Sequence, residues 1–325
     1  MGSDVKKTTE KHLMLFSGRA HETLAQTVAQ ELNTTLVPTA AYDFANSELY
    51  VRFEESVRGC DAFVLQSHTA PINKWIMEHL IMVDALKRAS AKRITVVTPF
   101  YGYARQDKKS RGREPISARL MADMFKTAGA DRLMAVDLHT DQIQGFFDGP
   151  VDHLQALPIL ADHVGAKYGD QKLAVVSPDA GRIKVAESWS KRLGGVPLAF
   201  IHKTRDMTQP NKSVANRVIG QVEGRLCILV DDMIDSGGTI CHAADALMKD
   251  GAAGVVIAAT HAILSDPAVQ RLRDSVATEI VVTDTLPVPT EKQFDKLTVL
   301  SIAPLLSQAI RQVFEDGSVT SMFNS

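Results

Sequence analysis

The chain has 325 residues, of which 45% are hydrophobic and 23% charged, with a formal net charge of −2. That length suits about two soluble globular domains, and the near-neutral charge gives no reason to expect nucleic acid or anionic membrane as a partner. Cys60, Cys227 and Cys241 are scattered without metal-ligand spacing, and the N-terminus is polar. With no apolar run approaching the roughly 20 residues of a membrane span, the expected location is cytoplasmic.

The first chemistry-bearing stretch is Phe44-Ala45-Asn46-Ser47-Glu48. An exposed aromatic there could stack on a base while Asn46 and Glu48 offer both hydrogen-bond polarities; by itself the stretch reads first as a Phe buried beside a turn. Apolar runs then alternate with helix-period segments, which predicts an α/β fold of two domains, each with a mainly parallel sheet flanked by helices. Strands are expected at Ala62–Gln66, Ile94–Thr98, Leu133–Val136, Leu173–Val176, Leu226–Val230, Val255–Thr260 and Ile280–Thr283. Helix 116–128, opened by Pro115 and closed by Gly129, presents Ile116, Leu120, Met121, Met124 and Phe125 as its apolar stripe.

Between strand 94–98 and that helix lies the run 104–114, which holds Arg105, Lys108, Lys109, Arg111 and Arg113 and no apolar anchor. Such a loop reads as a mobile lid attractive to polyphosphate, or as a solvated surface loop. Asp137-Leu138-His139-Thr140-Asp141 ends the next strand, where parallel sheets put ligands. His139 could be a metal ligand, a phosphate contact or a structural histidine, and Phe146-Phe147 a contact surface or core. Ser177-Pro178-Asp179-Ala180-Gly181 repeats the strand-end carboxylate, fit for magnesium, a sugar hydroxyl or a capped turn. Lys203 and Arg205 alternate after Leu198–Ile201 and can share one face, able to neutralise a transferring phosphoryl group.

The most informative run is Asp231-Asp232-Met233-Ile234-Asp235-Ser236-Gly237-Gly238-Thr239. Its paired carboxylates suit a ribose diol, and its glycines and hydroxyls suit a phosphate at a helix N-terminus. The helix that follows, 239–250, carries Ile240, Ala243, Ala244, Leu247 and Met248 on one stripe. This strand–helix–Gly-Ala–strand plan occurs twice, ending at His139 and His261. Ile94 to His139 is 45 positions and Cys227 to His261 is 34, so the first copy carries 11 extra residues, placed near Tyr103–Glu114. Nothing resembles a Walker lysine loop, a Ser-His-Asp nucleophile or a zinc cluster, and no general base stands out.

The run 231–239 resembles the phosphoribosyl-pyrophosphate loop of type I phosphoribosyltransferases and ribose-phosphate pyrophosphokinases. With Phe100–Asp107, Val136–His139, Gln142–Asp148, Ser177–Gly181, Lys203 and Arg205, the chain from about residue 12 to its end is similar to class I ribose-phosphate pyrophosphokinases of the bacterial type. The resemblance implies two phosphoribosyltransferase-like domains, 10–157 (with 313–325 packing on it) and 158–312, and a homo-oligomer, a hexamer built from dimers. It implies transfer of the β,γ-pyrophosphoryl group of ATP to the 1-hydroxyl of ribose 5-phosphate, with Mg2+, releasing AMP. By similarity, Lys203 and Arg205 are catalytic. Phe44, Asn46, Ser47, Glu48, Arg105 and Gln106 bind ATP across a subunit boundary. Asp231 and Asp232 engage the ribose diol, and Asp235, Ser236, Gly237, Gly238 and Thr239 the 5-phosphate. His139 and Asp179 hold the metal, and Ser56, Arg58, Arg113, Ser318 and Phe323 match regions tied to phosphate activation and ADP inhibition.

Three positions depart from the family pattern. Ser236-Gly237 replaces Thr followed by Ala or Cys, which keeps the hydroxyl, and Arg182 stands where many relatives carry a small residue. The alternatives are a type I phosphoribosyltransferase, which needs only one such domain and a base-binding hood, and a catalytically inactive regulatory homologue, which would have lost Lys203, Arg205, His139 or the lid cations.

Overall fold

Alternating apolar strands and amphipathic helices build two units in the computed structural model, which describes residues 11–204 and 215–323. The first unit runs through β1 (Leu13–Ser17), α1 (Glu22–Glu31), β2 (Thr39–Asp43), β3 (Leu49–Phe53) and β4 (Asp61–Leu65). It continues with α2 (Ile72–Arg88), β5 (Arg93–Thr98), α3 (Ser117–Ala128), β6 (Arg132–Val136) and β7 (Val151–Leu154). Five of these strands form a parallel sheet in the order β1-β4-β5-β6-β7, while β2 and β3 pair separately as an antiparallel hairpin. β4 is buried at every position, as a strand covered on both faces should be. The hairpin strands are half-buried and lack a continuous apolar run, which is why composition alone did not expose them.

The second unit spans Gln155–Ile302. It comprises α4 (Leu157–Tyr168), β8 (Leu173–Ser177), α5 (Ile183–Arg192), β9 (Leu198–Thr204), β10 (Ala215–Ile219) and β11 (Leu226–Ile234). After these come α6 (Gly238–Lys249), β12 (Gly254–Ala262), α7 (Ala268–Asp274), β13 (Glu279–Thr283) and β14 (Leu297–Leu300). The sheet order is β10-β9-β8-β11-β12-β13-β14, parallel throughout except for β10 against β9. All seven expected strands are present.

The last helix, α8 (Ala303–Phe314), returns to the first unit together with the turn Val319–Phe323. It packs on α1, burying Ala303, Leu306, Ala309 and Ile310. Charged contacts support the return: Lys11 and Arg93 both pair with Asp316, Arg93 at 3.1 Å. A division at 312 therefore cuts through α8; the structure moves residues 303–312 out of the second unit, because chain order does not reveal which sheet a terminal amphipathic helix will cover.

The duplicated plan is visible in the sheets. β5–α3–β6 and β11–α6–β12 are both parallel βαβ units, and the first carries the longer connection between strand and helix. α6 buries Ile240, Ala243, Ala244 and Leu247, the expected stripe. The stripe of α3 requires correction: it buries Ala118, Met121, Ala122 and Phe125, whereas Leu120 is 58% and Ile116 37% exposed. The helix starts after Ile116, so the inward face follows the i, i+3, i+4, i+7 series from Ala118. Burying Phe125 fully is worth about 2–3 kcal/mol, enough to fix that rotation against the small gain from Leu120.

Glu279 anchors one edge of the second unit. Its carboxylate accepts hydrogen bonds from Lys167 (2.9 Å), Tyr168 (2.7 Å) and Thr298 (2.5 Å). Burial pushes its pKa up, but the hydrogen bonds from Thr298, Tyr168 and Lys167 outweigh that and bring it down to about 2. A depressed folded-state pKa contributes stability above the unfolded value near 4.3, and that contribution is lost as pH falls through the folded one. Glu279→Gln is therefore expected to lower the thermal midpoint at pH 6–7, with the gap to the unmodified chain closing between about pH 4.5 and 2. Midpoints measured by circular dichroism across that window check it; a gap independent of pH would contradict it.

Candidate active site

In the second sheet the chain moves outward from β8 to β9 and β10, then returns to the other side of β8 as β11. This reversal makes the carboxyl ends of β8 and β11 a topological switch point, the position where open α/β sheets bind ligands. The sequence places its densest polar run there. β11 is longer than the apolar stretch 226–230: it stays paired with β12 through Ile234, with Asp231 opposite Ala259 and Met233 opposite His261. Asp231 and Asp232 thus belong to the strand itself, which holds their backbone rigidly.

The two carboxylates sit in a crowded electrostatic setting. The Asp232 N–H donates to Asp231 Oδ1 at 2.9 Å. Burial first, and the adjacent Asp232 charge second, push the Asp231 carboxyl above its ordinary range, while Arg182 pulls it back. Arg182 Nη2 lies 2.5 Å from Asp232 Oδ2 and its Nε 3.8 Å from Asp231 Oδ1. After Asp235 and Ser236 the chain turns at Gly237, whose φ of +74° suits glycine, and α6 begins at Gly238 without a side-chain cap. The first amides of α6 consequently have no partner within the helix, and the helix dipole adds partial positive charge there. Arg271 of α7 donates from Nη1 to the Ser236 carbonyl at 3.0 Å, fastening the turn.

Asp179 ends the turn after β8. Its Oδ1 accepts the Gly181 N–H at 2.8 Å, so a capped turn is present whatever else the carboxylate does. Lys203 lies on β9 in register with Asn216 of β10. Arg205 lies outside the described residues.

The first unit holds the remaining candidates. Phe44 is at the β2–β3 tip and is 46% exposed, which removes the buried-core reading; it stands edge-on to Tyr42 at 5.4 Å and to Tyr50 at 6.2 Å. The tip is closed by Phe44 N–H to Glu48 O (2.8 Å) and Ser47 N–H to Phe44 O (2.8 Å), with Ser47 at φ +70°. Asn46 Oδ1 accepts the Glu48 N–H at 3.2 Å, so it shapes the turn. Asp43, one residue before Phe44, accepts from Arg19 and Lys74, each at 2.7 Å. Lys74 and then Arg19 hold its carboxyl below the usual range. Arg19 also donates from Nε to the fully buried Glu78 at 2.6 Å, whose other oxygen receives the Arg19 N–H (2.8 Å) and Gln66 Nε2 (2.9 Å).

The cation-rich run 104–114 corrects the expectation of a loop with no anchor. Ala104 and Asp107 are both 5% exposed, while Arg105, Gln106, Lys108, Lys109, Arg111 and Arg113 face solvent. Asp107 accepts from Thr140 Oγ1 and Gln142 Nε2, both at 2.6 Å, which ties this loop to the one bearing His139. Gln106 is held too: its Oε1 accepts from Ser117 at 2.6 Å and its carbonyl accepts the Ala118 N–H. At the loop's base the Gly102 N–H donates to His68 Nδ1 at 3.0 Å. Burial, and then His79, keep His68 far below its ordinary pKa, so the neutral ring can accept that bond.

His139 follows the β6 end, where Asp137 takes a φ of +39°, and is partly exposed; its counterpart in the repeat, His261, is 1% exposed and within 2.9 Å of Thr285 Oγ1. Phe147 and Ile143 are buried, so that segment is mainly core. Ser56, Arg58, Arg113 and Ser318 are exposed and Phe323 is half-buried, all in the first unit. Sequence reading missed Arg19, Glu78, Asp107 and Arg271 as supports. Only the packing of sheets and helices brings their partners, 24 to 59 positions away, within reach.

Asp107→Ala is expected to lower the thermal midpoint and to speed proteolytic cleavage within 104–114, because losing two hydrogen bonds of about 1 kcal/mol each to a nearly buried carboxylate releases the loop carrying Arg105 and Gln106. Thermal melts and limited proteolysis check it; cleavage at the parent's rate would contradict it.

Fold and site define a class of two-unit, parallel-sheet α/β proteins with paired carboxylates beside an uncapped helix N-terminus. Residues 13–129 match the N-terminal domain of ribose phosphate pyrophosphokinase, and residues 201–324 the phosphoribosyl synthetase-associated domain. The chain is 65% identical over 320 residues to the ribose-phosphate pyrophosphokinase of Streptomyces coelicolor, covering 98% of each. It is 64% identical to that of Mycobacterium tuberculosis, covering 97% of this chain and 96% of the relative. A crystal structure of phosphoribosylpyrophosphate synthetase from Mycobacterium smegmatis superposes with a TM-score of 0.91 at 64% identity, covering 94% of this chain and all of that one. The chain belongs to the ribose-phosphate pyrophosphokinase family.

Proposed function

We propose that this chain transfers the β,γ-pyrophosphoryl group of ATP to the 1-hydroxyl of ribose 5-phosphate, giving phosphoribosyl pyrophosphate and AMP. The observation that carries the proposal is the carboxylate pair Asp231–Asp232 leading into the uncapped N-terminus of α6 at the β8/β11 reversal. The carboxylates accept the two ring hydroxyls. Asp235 to Thr239 receive the 5-phosphate through backbone amides and the Ser236 and Thr239 hydroxyls. The nucleotide falls to the first unit, with Phe44 stacking on adenine and Asn46, Ser47, Glu48, Arg105 and Gln106 supplying polar contacts.

Transfer of this kind needs in-line positioning and charge neutralisation more than a covalent nucleophile. Lys203 and Arg205 are assigned to neutralise charge on the transferring group. Magnesium fits the donor chemistry of Asp179, a hard carboxylate oriented by Gly181; His139, in the other unit, is assigned as a further donor by the family resemblance. Among the described residues no group of three His, Cys, Asp or Glu could hold a metal ion by itself. Such an ion supplies electrostatic stabilisation of the phosphoryl oxygens.

A phosphate activator and an ADP inhibitor are assigned to Ser56, Arg58, Arg113, Ser318 and Phe323, and the working form to a hexamer in the cytoplasm. Among the described residues no helix is long and apolar enough to cross a membrane. Incubation with ATP, ribose 5-phosphate and magnesium tests the reaction. AMP formed only when the pentose is present supports it, and a requirement for a free nucleobase would favour a phosphoribosyltransferase.

A further inference from the structure

Arg182 has no role in the site as assigned above, and the structure sets it against the paired carboxylates of β11. It closes the short turn Ala180–Arg182 and caps α5, so the Asp179–Gly181 hydrogen bond and the helix fix its backbone. From there its side chain, 17% exposed, reaches the strand-end carboxylates of the neighbouring β11. Asp232 is only 8% exposed beneath it and Asp231 20%. A carboxylate only accepts hydrogen bonds. Of the oxygens available, Asp232 Oδ2 already meets the guanidinium, and Asp231 Oδ1 already receives the Asp232 N–H and faces Arg182 Nε.

We propose that Arg182 is a placeholder for the pentose diol: its guanidinium and the two ring hydroxyls compete for the same Asp231–Asp232 oxygens, and ribose 5-phosphate binds by displacing it. The inference rests on assigning those carboxylates to the diol. A neutral diol replaces the hydrogen bonds of a guanidinium but not its charge, so displacement opposes binding. Arg182 thereby sets the affinity for the sugar below what the bare carboxylates would give. It is a specificity-setting residue, distinct from the groups that touch the transferring phosphorus.

The test is isothermal titration of ribose 5-phosphate into the full-length chain and into Arg182→Ala, Arg182→Gln and Arg182→Lys. Removing the cation in Ala or Gln is expected to tighten binding about tenfold, whereas Lys, which keeps the charge, stays within about threefold of the parent. The same Ala and Gln variants should melt at lower temperature without the pentose and gain more from adding it, since two carboxylates are left facing each other. If Ala does not fold, Gln carries the comparison. Equal or weaker binding by the folded neutral variants overturns the placeholder and makes Arg182 a support or a substrate contact. If neither parent nor variants bind the pentose, the diol assignment itself falls and the placeholder with it.

Discussion

Lys203→Ala is expected to reduce kcat by about 10²–10³-fold while leaving the fold intact, the size of effect seen when one preorganised charge-stabilising donor is removed. Pyrophosphoryl transfer spreads charge over non-bridging oxygens, and a protein with no covalent role lowers the barrier by placing cations around them. Lys203 sits on β9, in register with Asn216 and next to β8, whose carboxyl end leads to Asp179. Thermal midpoint and circular dichroism should stay near those of the parent. Single-turnover AMP formation separates the chemical step from release. A kcat within a few fold of the parent would remove Lys203 from the catalytic assignment.

Arg19→Met should have the largest effect on stability, destabilising the first unit by about 3 kcal/mol, the lower end for breaking a buried ion pair because Arg19 keeps 24% exposure. Its removal leaves Glu78 fully buried without a cation, with Gln66 Nε2 and the backbone N–H of residue 19 as its remaining donors. It also releases Asp43 from one of its two cations, and Asp43 adjoins Phe44 at the hairpin tip. Two measurements therefore move together: the denaturation midpoint drops and the KM for ATP rises. The double variant Arg19→Met with Glu78→Met should recover much of the stability, because two apolar side chains of similar volume can replace a buried pair. It should not recover the nucleotide KM, because the tether to Asp43 is still missing. Recovery of both would mean that the hairpin does not depend on Arg19.

Much of the architecture was legible from periodicity. Continuous apolar runs such as 226–230 and 255–260 can only be strands covered on both faces, and the Gly129 and Gly251 signals end helices because a positive φ favours glycine. Chemically loaded positions were legible as well, since Asp231 to Thr239 carry carboxylates, glycines and hydroxyls in an order that serves few purposes. The half-buried hairpin β2–β3 was not, nor was the inward face of α3. Both depend on which neighbour covers them, and local propensity is silent on that. The return of α8 to the first unit has the same cause.

By itself the sequence determined the strand–helix alternation, its duplication, the inserted cations and the residue types at 231–239, because these follow from spacing and side-chain chemistry. Only the tertiary structure decided that β8 and β11 are neighbours at a reversal of sheet order, that Arg182 lies on the paired carboxylates, and that Asp107 and Arg19 fasten the 104–114 loop and the β2–β3 hairpin. Those contacts join residues 24 to 59 positions apart, such as Arg19 with Asp43 and Glu78. Pairing at that range is set by how sheets and helices pack, and no local pattern in the chain encodes it.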